Sequence, residues 1–464
     1  MKSNLDDQAM GELKPKRKHR FVAVLAVLAL AAAAILFAAK YVAPRVIETE
    51  KLRAIVSSRI GRELGGDAGL HRIDAQGFWM KSSGLAVSAK PPRALSELRV
   101  HDLSASFSLV ELWRGKWRIN HIGAGHLQAA FGAEAARLLD RAEFPLPELV
   151  PPAENEAIMT VDVRNVDIAR ADLFWADPAK DGGQIRGVAV TCFPDGKNLT
   201  VHGHGGFFHQ AKWPEARISD FKLYYAKPSL RIDEGHLALG SRGVIDVKGE
   251  MKFEQDASLD LRLNFARCPI TPFLKNESRS KLEGAFAGDT HLQKVVGKSE
   301  ALTATGKLTS ADATVKNVAA LEKAATFTGK AELSPLKLDE VRGDYRFEAG
   351  KLTVSDFRAE SRRVLRVEGR FSYEHEEIAG TFRLGIAPEI AAKFPGAREE
   401  VFTRAEGDYV WTTVKISGPL DHPTDDLKPR LIAALEKHVA LGVLAPVLKI
   451  GQGARDVIEL LFPR

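Results

Sequence analysis

VIDVKGEMKF, residues Val244–Phe253, sets Ile245, Val247, Met251 and Phe253 on one side of an extended chain and Asp246, Lys248, Glu250 and Lys252 on the other. That period of two is the signature of a β-strand with one apolar and one wetted face. Working outward, Leu259–Phe265 repeats the pattern with Leu259, Leu261, Leu263 and Phe265, and Leu365–Tyr373 sets Leu365, Val367, Phe371 and Tyr373 against Arg366, Glu368, Arg370 and Ser372. Strand-like segments of this kind, broken by Gly, Asp, Asn and Pro, recur over more than three hundred residues. The chain is therefore expected to be mainly β and antiparallel. The pattern leaves two arrangements open: a sandwich that buries the apolar face against a second sheet, or an open, curved sheet whose apolar face lines a groove.

The same region contains an internal echo. Leu230–Phe265 aligns with Leu352–Ile386, with Gly249 matching Gly369 and Phe253 matching Tyr373. A spacing of this length suggests duplicated multi-strand units rather than a short-period solenoid. Helical patterns are few. Tyr41–Leu64 carries Leu52, Ile55, Val56 and Ile60 at helical spacing and ends at Gly65-Gly66; Ala133–Ala142 and Ala319–Ala325 are short candidates. Phe144–Pro152, FPLPELVPP, reads as a linker. Leu427–Leu444 carries Leu431, Leu435, Val439 and Leu441 on one stripe, followed by a break at Pro446 and Gly451 and a last segment to Phe462. Capping the sheet and touching a membrane or partner are both open to this end.

Phe21–Ala39, FVAVLAVLALAAAAILFAA, is nineteen residues without charge, Pro or Gly. As a helix it covers roughly 28 Å, close to the ~30 Å of a bilayer's hydrocarbon core. Lys14, Lys16, Arg17, Lys18 and Arg20 crowd its start, against only Lys40 and Arg45 just after it. Positive charge favours the cytoplasmic side, so a single-pass membrane anchor is expected, with its N-terminus inside and Lys40–Arg464 outside. A cleaved signal peptide is the alternative, but the apolar run exceeds the usual 7–15 residues and lacks a small-residue cleavage site. The expected organisation is a tail over 1–20, a span over 21–39, β regions over 40–150, 151–300 and 301–426, and a helical segment over 427–464.

The net charge is +6, of which the first twenty residues supply three: six Lys or Arg against Asp6, Asp7 and Glu12. The remainder is nearly balanced, so the basic character carries no nucleic-acid signal. Two cysteines, Cys192 and Cys268, do not make a disulfide scaffold and read as free, buried thiols. No phosphate-binding loop, dinucleotide fingerprint, nucleophile elbow or H-E-x-x-H is present. VHGHGGFFH, Val201–His209, places His202 and His204 on one strand face near His209, but no Cys or Glu stands at ligand spacing. Asp425-Asp426 suits a helix N-terminus. No catalytic, cofactor-binding or metal-binding residue is assigned, and no cofactor is expected.

The chain resembles the AsmA-like family of bacterial envelope proteins, relatives of TamB and YhdP. The resemblance lies in the anchor, in Leu52–Trp79 and Leu98–Phe131 near the start, and in Ala311–Leu427, including GDYRFEAGKLTVSDFRAES, RVLRVEGRFSY and the closing ISGPLDHPTDDL. It covers about half the chain, through degenerate motifs whose order carries the specificity. It implies an elongated, gutter-like antiparallel sheet with an N-terminal transmembrane helix, a few short helices and a C-terminal helix. It further implies handling of phospholipid along an apolar groove in outer-membrane biogenesis or lipid homeostasis, with an outer-membrane or other envelope protein as a partner and no enzymatic activity. Ile245, Val247, Phe253, Leu261, Leu263, Val367, Phe371 and Phe382 are the residues expected to line such a groove. The alternative is a non-transporting scaffold or assembly partner in the envelope.

Overall fold

The computed structural model describes residues 50–76, 79–91, 94–108, 117–139, 147–151, 161–176, 182–211, 213–253, 257–274, 276–295, 299–419 and 422–440. The expected tail, membrane span and last helical segment lie outside these residues. Among the described residues, no helix is long and apolar enough to cross a membrane. The chain divides into two compact units, one formed by residues up to Ala129 with Leu139–Val166, the other by Ala130–Leu138 with Asp167 onward.

The first unit opens on α1 (Glu50–Leu64), which stops at Gly65 with φ of 74°. Its strands are β1 (Gly66–Leu70), β2 (Ile73–Gln76), β3 (Trp79–Ala89), β4 (Leu95–Phe107), β5 (Trp117–Phe131) and β6 (Val161–Val163). The long β3 takes β1 and β2 in succession along one edge and β4 along the other, all antiparallel. Two details differ from the sequence reading. The inner face of α1 is made by Ser57, Ser58 and Gly61, while Ile55 is exposed. A Cβ at Gly61 would stand 2.5 Å from the Gly66 carbonyl, so small residues set how closely helix and strand approach. Within the Pro-rich stretch read as a linker, Val150 exchanges backbone hydrogen bonds with Ala68 at 3.0 and 3.2 Å. Extended, proline-flanked backbone can use a strand edge this way without forming a long strand.

The second unit contains β7 (Val166–Trp175), β8 (Gly183–Asp195), β9 (Asn198–His204), β10 (Phe207–Gln210), β11 (Ala216–Ala226), β12 (Ser229–Leu239), β13 (Gly243–Lys252), β14 (Ser258–Pro269), β15 (Leu282–Glu283), β16 (Ala285–Val295) and β17 (Ser299–Ser310). It continues with β18 (Ala313–Val315), β19 (Leu336–Leu338), β20 (Glu340–Glu348), β21 (Lys351–Ser361), β22 (Leu365–Glu374), β23 (Glu377–Ile386), β24 (Arg404–Glu406), β25 (Tyr409–Pro419) and β26 (Thr424–Asp425). Its helices are α2 (Asn276–Arg279), α3 (Ala319–Thr328), α4 (Pro388–Ala391), α5 (Ala397–Glu400) and α6 (Leu427–Ala440). The helix expected over Ala133–Ala142 is a single 3₁₀ turn, Ala135–Leu138, whereas α3 runs three residues past its expected end before Gly329 stops it at φ of 67°.

Twelve successive antiparallel pairings, β8–β9–β11–β12–β13–β14–β16–β17–β20–β21–β22–β23–β25, join thirteen strands into one ladder. At about 4.8 Å per step it runs roughly 58 Å across the strands. Tight hairpins hold the register: Ala349-Gly350 and His375-Glu376 both take positive φ, as two-residue turns between twisted strands require. The strand expected from Val244–Phe253 is β13, and the echoing segments form matching three-strand meanders, β12–β14 and β21–β23. In both, the aligned glycine sits where a Cβ would strike the next strand's backbone, Gly249 against Asp260 O at 2.1 Å and Gly369 against Thr381 O at 2.3 Å.

Helices cover one corner of this ladder. Leu427, Leu431, Ala434 and Leu435 pack with Val401, Phe402, Val410 and Val414, so the described part of the C-terminal helix caps the sheet. Beside it, α3 and the three-stranded sheet β15–β18–β19 bury Ala359, Val364 and Ile390.

Candidate functional site

The registers make the apolar side chains of the second unit fall into continuous rows across the strands. One row runs Cys192, Val201, Leu223, Ile232, Gly249, Leu261, Leu292, Ala304, Phe347, Leu352, Tyr373 and Ile378. Of these, only Ala304 is fully buried; the others keep part of their surface in contact with solvent. A sandwich would bury the middle of its inner face, as native cores are close-packed. Half-exposure along nearly the whole row is what a face left uncovered by the described residues gives.

The structure sorts the expected groove residues by depth. Ile245 and Phe382 are each 7 % exposed. Ile245 packs with Leu239, Phe265 and Cys268, and Val247 and Leu263 lean on the same cluster. Phe382 belongs to a triangle with Phe357 and Phe371, ring centroids 5.7–6.2 Å apart. Leu261, Val367 and Phe371 are half-buried. Phe253 lies one residue beyond β13 and is 57 % exposed, whereas its aligned counterpart Tyr373 sits inside β22 opposite Leu352. β13 ends at Lys252, opposite Ser229, so the echo fails at this position. The loop side of the face is edged by another aromatic run: Trp213 on Phe273, and Phe273 and Phe265 on Phe286, with centroids 5.6–6.1 Å apart.

The opposite face is charged and internally paired. Arg231 pairs with Asp233, Arg346 with Glu348, Arg358 with Glu360 and Arg366 with Glu368, each two positions along one strand. Arg366 and Arg383 also lie 5.7 and 4.6 Å from the Trp411 ring. Two open concavities, of about 620 and 940 Å³, are lined mainly by this charged face, around Lys307, Arg358 and Arg383 and around Arg231, Lys248 and Asp260. With cations and carboxylates interleaved, neither presents a single-sign field. Hydrogen bonds from His291 and Gln293 hold the Asp260 carboxyl below its usual range.

His202 and His204 lie exposed on β9, and His209 stands on β10 opposite Gln184. His202 meets the Phe193 ring edge-on at 5.5 Å. No group of three or more metal-ligating side chains converges among the described residues. Cys192 and Cys268 are free thiols, and burial pushes both up, as inert thiols require.

No family model, curated protein or solved structure compared with the chain matches it. The site therefore rests on its own geometry: a long apolar face backed by a self-neutralised charged one. The sequence reading missed two polar members of the apolar face, Thr290 and Tyr345, whose hydroxyls hydrogen-bond to each other. A signal was present in the paired segments Gly288-Asp289-Thr290 and Gly343-Asp344-Tyr345, but only the register brings them together.

Proposed function

We propose that this chain is a membrane-anchored, AsmA-like lipid-handling protein of the bacterial envelope. It hangs from the inner membrane by Phe21–Ala39 and receives phospholipid acyl chains on the apolar face of its second unit. The observation that carries this reading is the row from Val201 to Ile378, half-exposed across the ladder. Covering such a face with an acyl chain removes apolar surface from water on both partners, at about 0.8 kcal/mol per CH₂. Binding of this kind needs no reacting group, so the protein works by burial rather than by chemistry. Ile232, Leu261, Leu292 and Leu352 are its central contacts, and the charged face keeps the sheet in solution. An outer-membrane or other envelope protein is the partner that takes the lipid onward.

The test is mass spectrometry of lipids extracted from the full-length protein purified in detergent. Phospholipid is expected at reproducible stoichiometry, and Ile232→Asp with Leu261→Asp should lower that stoichiometry while the thermal transition persists. Lipid-free wild-type protein that instead holds a stable protein partner would replace this reading with the scaffold one.

A further inference from the structure

The apolar face is interrupted near its middle. Reading across β14, β16, β17, β20 and β21, one row runs Leu263, Thr290, Gly306, Tyr345 and Val354. Gly306 has no side chain, so the Tyr345 ring lies across its strand and its hydroxyl reaches Thr290 on the far side. A neighbouring row places Leu308 between Gly288 and Gly343. Gly288, Gly306 and Gly343 thus leave Leu308 and the Thr290–Tyr345 pair as the side chains of this stretch, between the Phe265–Phe286 aromatics on one side and the Phe357–Phe371–Phe382 triangle on the other. Asp289, Lys307 and Asp344 stand in one row on the opposite face, with Lys307 Nζ 3.4 Å from Asp344.

Two hydroxyls bring two protons, and the bond between them uses one. Among the described residues neither oxygen has another partner. Thr290 is 7 % exposed and Tyr345 is half-buried, so one O–H stands beside an apolar surface with no protein acceptor among the described residues. Burial pushes the Tyr345 phenol up, which keeps it a donor throughout the physiological range.

Building on the lipid reading above, we infer that the Thr290–Tyr345 pair is a recognition point for the ester carbonyl of an acyl lipid. The carbonyl accepts the spare O–H while the acyl chain lies along the aromatics to either side. This makes the face selective for esterified chains over simple hydrocarbon.

The experiment compares binding of dipalmitoyl phosphatidylcholine and its dihexadecyl ether analogue, which lacks the carbonyls, to the full-length protein in detergent. Wild type is expected to prefer the ester by roughly five-fold, the equivalent of one neutral hydrogen bond. The double variant Tyr345→Phe/Thr290→Val should bring that ratio close to one while ether binding is retained; each single variant leaves one free O–H and should keep a preference, as should Thr290→Ser. Wild type binding both lipids equally overturns this inference and leaves the lipid reading standing. Wild type binding neither lipid overturns both. A Tyr345→Phe/Thr290→Val variant that binds the ether lipid and still prefers the ester also overturns the inference, because ether binding shows that the face is intact.

Discussion

Gly203 has no room for a side chain. A Cβ there would fall 2.2 Å from the Phe221 ring, which lies over it from the next strand. The same device recurs where Gly385 underlies Trp411 and Gly369 underlies Phe382. Large rings thus shield strand backbone that glycine would otherwise leave bare. On the charged face, His236 stands in register between Asp220 and Asp246 on the flanking strands, its Nδ1 2.7 Å from Asp246 and its Nε2 3.8 Å from Asp220. The hydrogen bond to Asp246 raises its pKa, with Asp220 and Glu234 adding to the effect. The folded value lies above the ordinary one near 6.5, so the stabilisation is complete below about pH 6.5 and is lost as pH rises through the raised value. The imidazole is well exposed, which limits the gain to ~0.5 kcal/mol. Wild type should therefore lose stability relative to His236→Gln as urea titrations move from pH 6 to pH 8.5. An NMR titration placing His236 at or below 6.5 would refute the pairing.

At the scale of elements, α6 is held by a division of labour that the dipeptide Asp425-Asp426 conceals. Asp425 Oδ1 accepts from the Leu427 and Lys428 amides at 2.8 and 3.0 Å and caps the helix, as expected. Asp426 instead accepts from Lys415 N at 2.8 Å, and Arg430 donates to Thr413 O at 2.7 Å. These bonds occupy the outward backbone groups of β25 between the stretches that β24 and β26 cover. An open edge here would invite another strand, and side chains close it. Asp426→Ala combined with Arg430→Ala should uncover that edge while Leu431 and Leu435 keep α6 in place. Sedimentation of the full-length variant is expected to show a higher average mass than wild type at equal concentration. An unchanged mass from a folded variant would mean that β24 and β26 protect the edge alone. None of this was legible beforehand, because charge placement at a helix start does not reveal which strand lies beside it. The strands themselves were legible: alternation through Val244–Phe253 and Leu259–Phe265 survives any register. What alternation does not encode is offset, and the bulges at Ile232/His236, Arg342/Asp344 and Val354/Phe357 set which residues face each other. Thr290 and Tyr345, fifty-five residues apart, meet only because of it.

At the scale of the molecule, the proposed lipid path is an arrangement in series. Leu223, Leu261 and Leu352 lie in one row on β11, β14 and β21, and those three strands span seven steps of the ladder, roughly 34 Å. A chain moving along this row must pass each position, and a carboxylate at any one imposes the cost of leaving an ion against hydrocarbon. Leu223→Asp, Leu261→Asp and Leu352→Asp should therefore slow transfer of fluorescent phospholipid between donor and acceptor vesicles to a similar extent, on the order of ten-fold for ~1.4 kcal/mol. Bound lipid at saturation should fall only in part, since the face on either side of the block remains. Double variants are the decisive measurement. Obstacles in series leave transfer limited by the worst one, so Leu223→Asp with Leu352→Asp should be little slower than either alone. Separate binding patches that each carry part of the flux would instead make the defects accumulate in proportion to the residues replaced. That outcome would reduce the row to a set of independent apolar sites.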